Sequence, residues 1–295
     1  MSVALDEWAE PTTLQPGTRV NANSRQTAFQ KAGIAEKFSK AAHLYSKNAL
    51  VQKDIADYML NFGGFDAIKN DNATWLDIGC GAGYLLKEIA MRANNPSLIC
   101  GLDIALGMLN EAEASTSHRL EPLNPACVFI NADAEKLPLA TNSVDNIVSS
   151  MALQWVISPT QALSEIARVL KSDGSATLAV LRGDSLPELH QGWGALDQGF
   201  RVKQFASTEQ WVRAIKENGF KTVKHQNKAF LTYHPSVVDA LHSVKDIGAG
   251  TTDSSQHPSI TKSDLRTLQA WWLKNHSARQ KLSLTYTVDF WHLQA

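Results

Sequence analysis

The sequence predicts an α/β fold: a doubly wound, mostly parallel sheet with an N-terminal helical arm and a helical lid insertion. Three observations predict it. Between residues 73 and 183 short apolar runs alternate with amphipathic stretches, the alternation that builds a parallel sheet with helices on both faces. The first run ends in a glycine-rich turn, Asp77-Ile78-Gly79-Cys80-Gly81-Ala82-Gly83, placed where such sheets bind ligands. The composition is that of a folded chain: 44% hydrophobic and 19% charged over 295 residues, with a net charge of −1. Disorder would need fewer apolar residues and a larger charge.

Taken in order, residues 1–28 are rich in Pro, Thr, Gln, Asn and Ser without periodicity and read as a mobile tail. Residues 29–72 form the arm, where Ile34, Phe38, Ala41, Ala42 and Tyr45 recur at helical spacing, followed by Leu50, Ile55, Tyr58 and Met59. In the core, residues 73–183, strands are predicted at Thr74–Ile78, Leu98–Asp103, Cys127–Asn131, Val144–Ser149 and Ala176–Leu181. Helices are predicted between them at Tyr84–Arg92, Leu106–Ser117 and Thr160–Leu170. Lys171-Ser172-Asp173-Gly174 reads as a helix stop that turns into the fifth strand. Residues 184–295 are expected to complete the sheet and carry the substrate region. They hold a helix at Thr208–Asn218 closed by Gly219, a strand at Phe220–Tyr233, helices at Ser236–Ile247 and Lys262–Asn275, and a period-two strand at Leu282–His292. If those two strands pair, the two helices between them are an insertion over the carboxyl ends of the sheet, a lid.

Several classes are set aside. A chain with 28 basic and 29 acidic side chains is not a general nucleic-acid binder. No apolar run approaches the ~18–20 residues of a membrane span, and the N-terminus lacks the basic start and apolar stretch of a signal peptide. Cys80, Cys100 and Cys127 form no C-x-x-C pair and read as buried reduced thiols. The expectation is a cytoplasmic protein with neither a membrane nor a nucleic-acid partner, and without a metal.

The turn reads G-x-G-x-G with an acid just before it, not the G-x-G-x-x-G of dinucleotide sites. Glycines let a ligand approach the backbone, and the following helix offers unpaired N–H groups. An acid at residue 77 would repel a pyrophosphate and suits a ligand with a cationic amine. Asp103 closes the second strand, where a carboxylate can accept both hydroxyls of a ribose. Asn131-Ala132-Asp133-Ala134-Glu135 follows the third strand. A tight turn without a ligand and ordinary helix caps are the alternatives.

The D-x-G-C-G-x-G pattern resembles the first motif of class I S-adenosylmethionine-dependent methyltransferases. The resemblance implies that Asp77, Gly79, Cys80, Gly81, Gly83, Asp103, Ile104 and Met108 hold S-adenosylmethionine, with Asp133 and Ala134 at the adenine edge. It also implies that Leu153, Gln154 and Trp155, just past the fourth strand, lie near the transferable methyl, a packed core aromatic being the alternative for Trp155.

Further segments are more specific: Ile34 to Tyr45, Leu153-Gln154-Trp155, Gly183 to Gln191, Leu241 to Ala249, and Leu284-Thr285-Tyr286. Together they resemble the malonyl-acyl-carrier-protein O-methyltransferases that start pimeloyl synthesis for biotin, over roughly residues 30–292. The resemblance implies methyl transfer to the free carboxylate of a malonyl thioester on acyl carrier protein. That carboxylate is ionised at neutral pH, so no general base is expected. Tyr45, Gln154, Trp155 and His190 are the catalytic candidates, each with a packing or capping alternative. Arg182, Arg201 and Lys203 are candidates for the substrate carboxylate. Family members often carry Asn-Arg-Phe near this point, whereas here the chain reads Lys203-Gln204-Phe205, which leaves the role of that arginine open. Residues 201–228 carry a net +5, and Arg213, Lys216, Lys221 and Lys224 are candidates for docking an acidic carrier. The alternative functions are methylation of a small free carboxylic acid or quinone precursor, and a carrier-binding module without catalysis.

Overall fold

The computed structural model describes residues 22–64, 72–93, 95–116, 126–196, 204–246, 260–278 and 280–295. Its strands are β1 (Thr74–Ile78), β2 (Leu98–Asp103), β3 (Ala126–Asn131), β4 (Val144–Ser150), β5 (Leu170–Leu181), β6 (Lys221–His234), β7 (Ser277–Ala278) and β8 (Lys281–Gln294). They form one sheet in the order β3-β2-β1-β4-β5-β8-β6, with β7 paired to β8. β1 to β5 are parallel, and β8 is antiparallel to both β5 and β6. From β1 the chain builds outward first through β2 and β3, then on the other side through β4 and β5. The order therefore reverses at β1, the switch point where open sheets of this kind leave a crevice.

The helices are α1 (Ala22–Asn48), α2 (Leu50–Phe62), α3 (Tyr84–Arg92), α4 (Leu106–Thr116), α5 (Pro159–Val169), α6 (Pro187–Ala195), α7 (Thr208–Glu217), α8 (Val237–Asp246) and α9 (Lys262–Asn275). Alternation along β1 divides the core. Trp75 joins α2, α3, α6, α8 and α9 on one face, and Leu76 and Ile78 join α5 and α7 on the other. α5 starts sharply because the Ser158 side chain accepts from the Gln161 N–H and Pro159 sits at the first helical position. α7 starts on a capping box between Ser207 and Gln210.

β6 and β8 pair, with α8 and α9 inserted between them. β5 ends with Leu181 opposite Val288, whereas β8 extends back to Leu282 opposite His234. That overhang, roughly 20 Å at strand rise, carries the inserted helices past the carboxyl ends of the parallel strands, where α8 packs on α1 and α9 on α6.

Three expectations change. Residues 22–28, read as tail, are the first turns of α1; residues 1–21 lie outside the described residues, as do Ser117 and Ile247. Lys171 to Gly174 is strand, not a helix stop: α5 passes directly into β5. The Lys171 ammonium is held by Asp145 of β4 at 2.8 Å, which draws the segment into the sheet. Helix α6 and the two-residue β7 have no counterpart in the sequence reading.

Candidate active site

The turn after β1 is held by its glycines. Gly79 and Gly81 have φ of +74° and +51°, the left-handed region that a side chain disfavours. A Cβ on Gly79 would also lie 2.1 Å from the Ala152 Cβ, so the cofactor-type turn and the segment after β4 interlock there. The Gly79 and Cys80 N–H groups donate to the Leu102 carbonyl at 2.6 and 3.0 Å. The Cys80 thiol is buried, and burial, reinforced by the charges of Asp77 and Asp103, pushes it up in pKa.

Asp103 accepts from the Gly81 N–H at 3.0 Å and from the Ala105 N–H at 2.8 Å. Burial raises its carboxyl above the usual range, opposed by the N–H groups of Ala105, Gly81 and Ile104. Asp77 differs. It is 1% exposed, and neither carboxylate oxygen has a partner. Burial, then the charge of Asp103, holds its carboxyl well above the ordinary value.

Two cavities meet at this turn, both lined by Tyr45, Gly79, Gly81 and Ser150. The first runs along the ends of β2 and β3 past Asp103, Ile104, Met108, Asp133 and Ala134. Its other wall is apolar, with Ile34, Phe38, Met151 and Trp155. The second lies between the turn, α2 and α3, and reaches Asp77, Cys80 and Gln52.

The arm covers this site from several points. Lys31 pairs with Asp133 and Glu135. Phe38 meets Trp155 edge to face at 5.5 Å. The Ser39 hydroxyl accepts from the Gly107 N–H at 3.2 Å. Tyr45 Cε1 lies 3.6 Å from where a Cβ on Gly81 would stand, and burial followed by the charges of Asp103 and Asp77 raises its hydroxyl pKa. Lys31 and Gln52 were not picked out by sequence reasoning. Lys31 belongs to no motif. Gln52 carries a legible signal, since it shares the buried stripe of α2 with Ile55, Ala56 and Met59, where helical periodicity calls for an apolar residue.

The structure therefore brings Tyr45, Trp155 and the cofactor candidates together, except that Gly83 caps α3 just behind the turn. Gln154 and His190 line neither cavity. The Gln154 amide donates to the Met151 carbonyl at 2.7 Å, bracing the turn after β4. His190 sits on α6, where burial lowers its imidazole pKa. Arg182 is paired with Asp184 at 3.1 Å; Arg201 and Lys203 lie outside the described residues.

The basic stretch is divided. Arg213 and Lys216 are on α7, on one face of the sheet. Lys224 reaches the other face, donating to the Phe62 carbonyl of α2 at 3.3 Å. Lys221 is opposite Gln294, which pairs with Ser175, level with the start of β1 and remote from the glycine turn.

The residues fit a cationic nucleoside. Asp77 offers a buried carboxylate that lacks a partner, and Asp103 keeps lone pairs toward the first cavity. S-adenosylmethionine carries an ammonium, a sulfonium and a ribose diol to meet them. Residues 76–178 match the family model of a methyltransferase domain. Among solved structures, the YcgJ protein of Bacillus subtilis superposes with a TM-score of 0.56 at 18% identity, covering 81% of this chain and 98% of that one. The [4+2]-cyclase SpnF does so with 0.51 at 17% identity, covering 81% of each. These likenesses carry the fold alone.

Fold, turn and domain define an S-adenosylmethionine-dependent methyltransferase of the Rossmann-like class. A malonyl-[acyl-carrier protein] O-methyltransferase of Methylovorus sp. (strain MP688) is 31% identical over 270 residues, covering 90% of this chain and 88% of that protein. One of Marinomonas sp. (strain MWYL1) is 30% identical over 262 residues, 88% of this chain and 92% of that protein. The chain belongs to the malonyl-[acyl-carrier protein] O-methyltransferase family. The biotin biosynthesis bifunctional protein BioHC of Cellvibrio japonicus is 28% identical across 97% of this chain, which spans 54% of that longer protein.

Proposed function

We propose that this enzyme transfers the methyl group of S-adenosylmethionine to the free carboxylate of malonyl-acyl carrier protein. The product is the methyl ester that primes pimeloyl synthesis for biotin. The observation that carries the reading is the composition of the first cavity: acids on the cofactor side, an apolar wall of Ile34, Phe38, Met151 and Trp155 opposite, and no histidine lining it among the described residues. Such a cavity suits an acceptor that arrives already ionised. When bound, S-adenosylmethionine would supply a methyl on a sulfonium sulfur; a carboxylate oxygen bonding to that methyl would break its bond to sulfur, giving the ester and leaving S-adenosylhomocysteine. The chain's part is to position and to exclude water. Asp77 neutralises a positive group, Asp103 orients a diol, and Phe38 and Tyr45 of the arm, with Trp155 packed against Phe38, close the cavity. Orientation of this kind is worth up to ~7–11 kcal/mol. The reaction so read needs no metal and no proton acceptor, and it belongs in the cytoplasm, where Cys80, Cys100 and Cys127 stay free.

The test is methyl transfer to malonyl-acyl carrier protein, followed by mass spectrometry of the carrier. Addition of one methyl, removed by ester hydrolysis, is expected. Transfer only to a small free carboxylic acid or a quinone precursor would replace the reading.

A further inference from the structure

We propose that Gln52 grips the α-amino-acid end of the cofactor, its side-chain amide facing the carboxylate while Asp77 faces the ammonium. The proposal rests on the cofactor reading above and adds a residue and a subsite to it.

Gln52 is 7% exposed, and neither its Oε1 nor its Nε2 has a hydrogen-bond partner. A buried amide without a partner is costly, and native proteins rarely keep one without a reason. The helix around it is otherwise ordinary: Val51, Ile55, Ala56, Met59 and Leu60 fill the rest of its buried stripe. Gln52 instead lines the second cavity, together with Asp77, Gly81 and Tyr45. Asp77 presents two further unpartnered oxygens. Lys53, Lys87 and Glu88 also line this cavity, but the buried polar atoms without a partner in its wall are those of Asp77, Gln52 and Ser150.

A ligand that satisfies the Asp77 and Gln52 atoms needs a positive group for Asp77 and an acceptor for the Gln52 Nε2–H, which a carboxylate supplies most strongly. Oε1 can then accept a second ammonium hydrogen. An α-amino acid zwitterion has that pattern. The amide suits the position better than a cation would, because a lysine or arginine beside Asp77 would pair with it and fill the space. The first cavity, with Asp103 and Asp133, is left for the nucleoside.

Two ligands separate this role from packing. S-adenosylhomocysteine carries the amino-acid end; 5′-methylthioadenosine keeps the adenine, ribose and sulfur but lacks it. Both are titrated by calorimetry into the full-length wild type and into Gln52→Ala, Gln52→Met and Gln52→Glu, each checked by thermal melting. Gln52→Ala and Gln52→Met are expected to weaken S-adenosylhomocysteine about 10- to 100-fold while changing 5′-methylthioadenosine less than about twofold. Gln52→Glu, equal in size but charged, should lose S-adenosylhomocysteine further and again leave 5′-methylthioadenosine in place. Equal weakening of both ligands, or unchanged S-adenosylhomocysteine binding, overturns the assignment. A wild type that binds neither ligand overturns the cofactor reading itself.

Discussion

Asp77 at the glycine turn and two carboxylates of the C-terminal half are buried in opposite ways. Beyond residue 183, Glu188 is 2% exposed and accepts from the Thr285 N–H at 3.1 Å and the Thr285 hydroxyl at 2.5 Å. Asp289, fully buried, accepts from the Thr208 hydroxyl at 2.5 Å and lies 3.0 Å from His225 Nε2. These acids tie α6, α7 and β6 to β8, and each is saturated by its neighbours. At the glycine turn, Asp77 is as deeply buried and has no neighbour to pair with. Burial alone does not mark a site. A buried charge without a partner, open to a cavity, does.

The comparison is broken most severely at its two extremes. Asp77→Asn should lower S-adenosylhomocysteine affinity about 100-fold by calorimetry and yet raise the melting temperature of the cofactor-free protein at neutral pH. The sign follows from linkage. A carboxyl whose folded pKa is raised stabilises the fold while protonated, and that stability is lost as pH rises through the raised value. Asparagine stands in for the protonated form. By the same shift, wild-type affinity for S-adenosylhomocysteine should climb with pH above the ordinary carboxylate range and then level off; Asp77→Asn should flatten that climb. A fall in melting temperature would make Asp77 structural, like the other acids.

Glu188→Ala should do the reverse. It strands the Thr285 N–H and hydroxyl, costing about 3 kcal/mol and roughly 5–10 °C in a melting curve, with S-adenosylhomocysteine affinity held. Smaller effects sharpen the contrast at the surface. Reversing Arg213 and Lys216 to Glu together should slow transfer to malonyl-acyl carrier protein several-fold at low salt, leaving a small malonyl thioester unaffected. Unchanged carrier rates would remove α7 from the docking surface. Smallest of all, Lys31→Met frees Asp133 and Glu135 from the arm and should speed S-adenosylhomocysteine release about two- to fivefold in stopped-flow.

The sequence was most legible where its signals are local. β1 and β2 match their predicted limits, because a buried run followed by glycines or by an acid leaves little choice of register. Where the signal depends on tertiary partners it fades. Helix α6 carries Pro187, Gly192 and Gly194 and gives no helical signal in the sequence; only in the fold does Gly192 make room for Leu268 and Trp271 of α9. Gln154 lies in the segment just past β4, but its side chain turns back to a backbone carbonyl, an orientation that no spacing reveals. Lys224 and Lys216 look like neighbours in a basic run and end on opposite faces, because β6 starts just after α7 and carries Lys224 to the α2 side.

Helix α1 meets α4 at Gly107, where a Cβ would stand 2.7 Å from the Ser39 carbonyl oxygen. The missing methyl is a notch, and the arm is keyed into it. Gly107 lines neither cavity, yet a single added carbon there acts as a wedge under the helix that bears Lys31, Phe38 and Tyr45. The tightness of the site is thus adjustable from outside it: evolution, or an engineer, can loosen the enzyme's hold on its nucleoside without touching an atom that binds one.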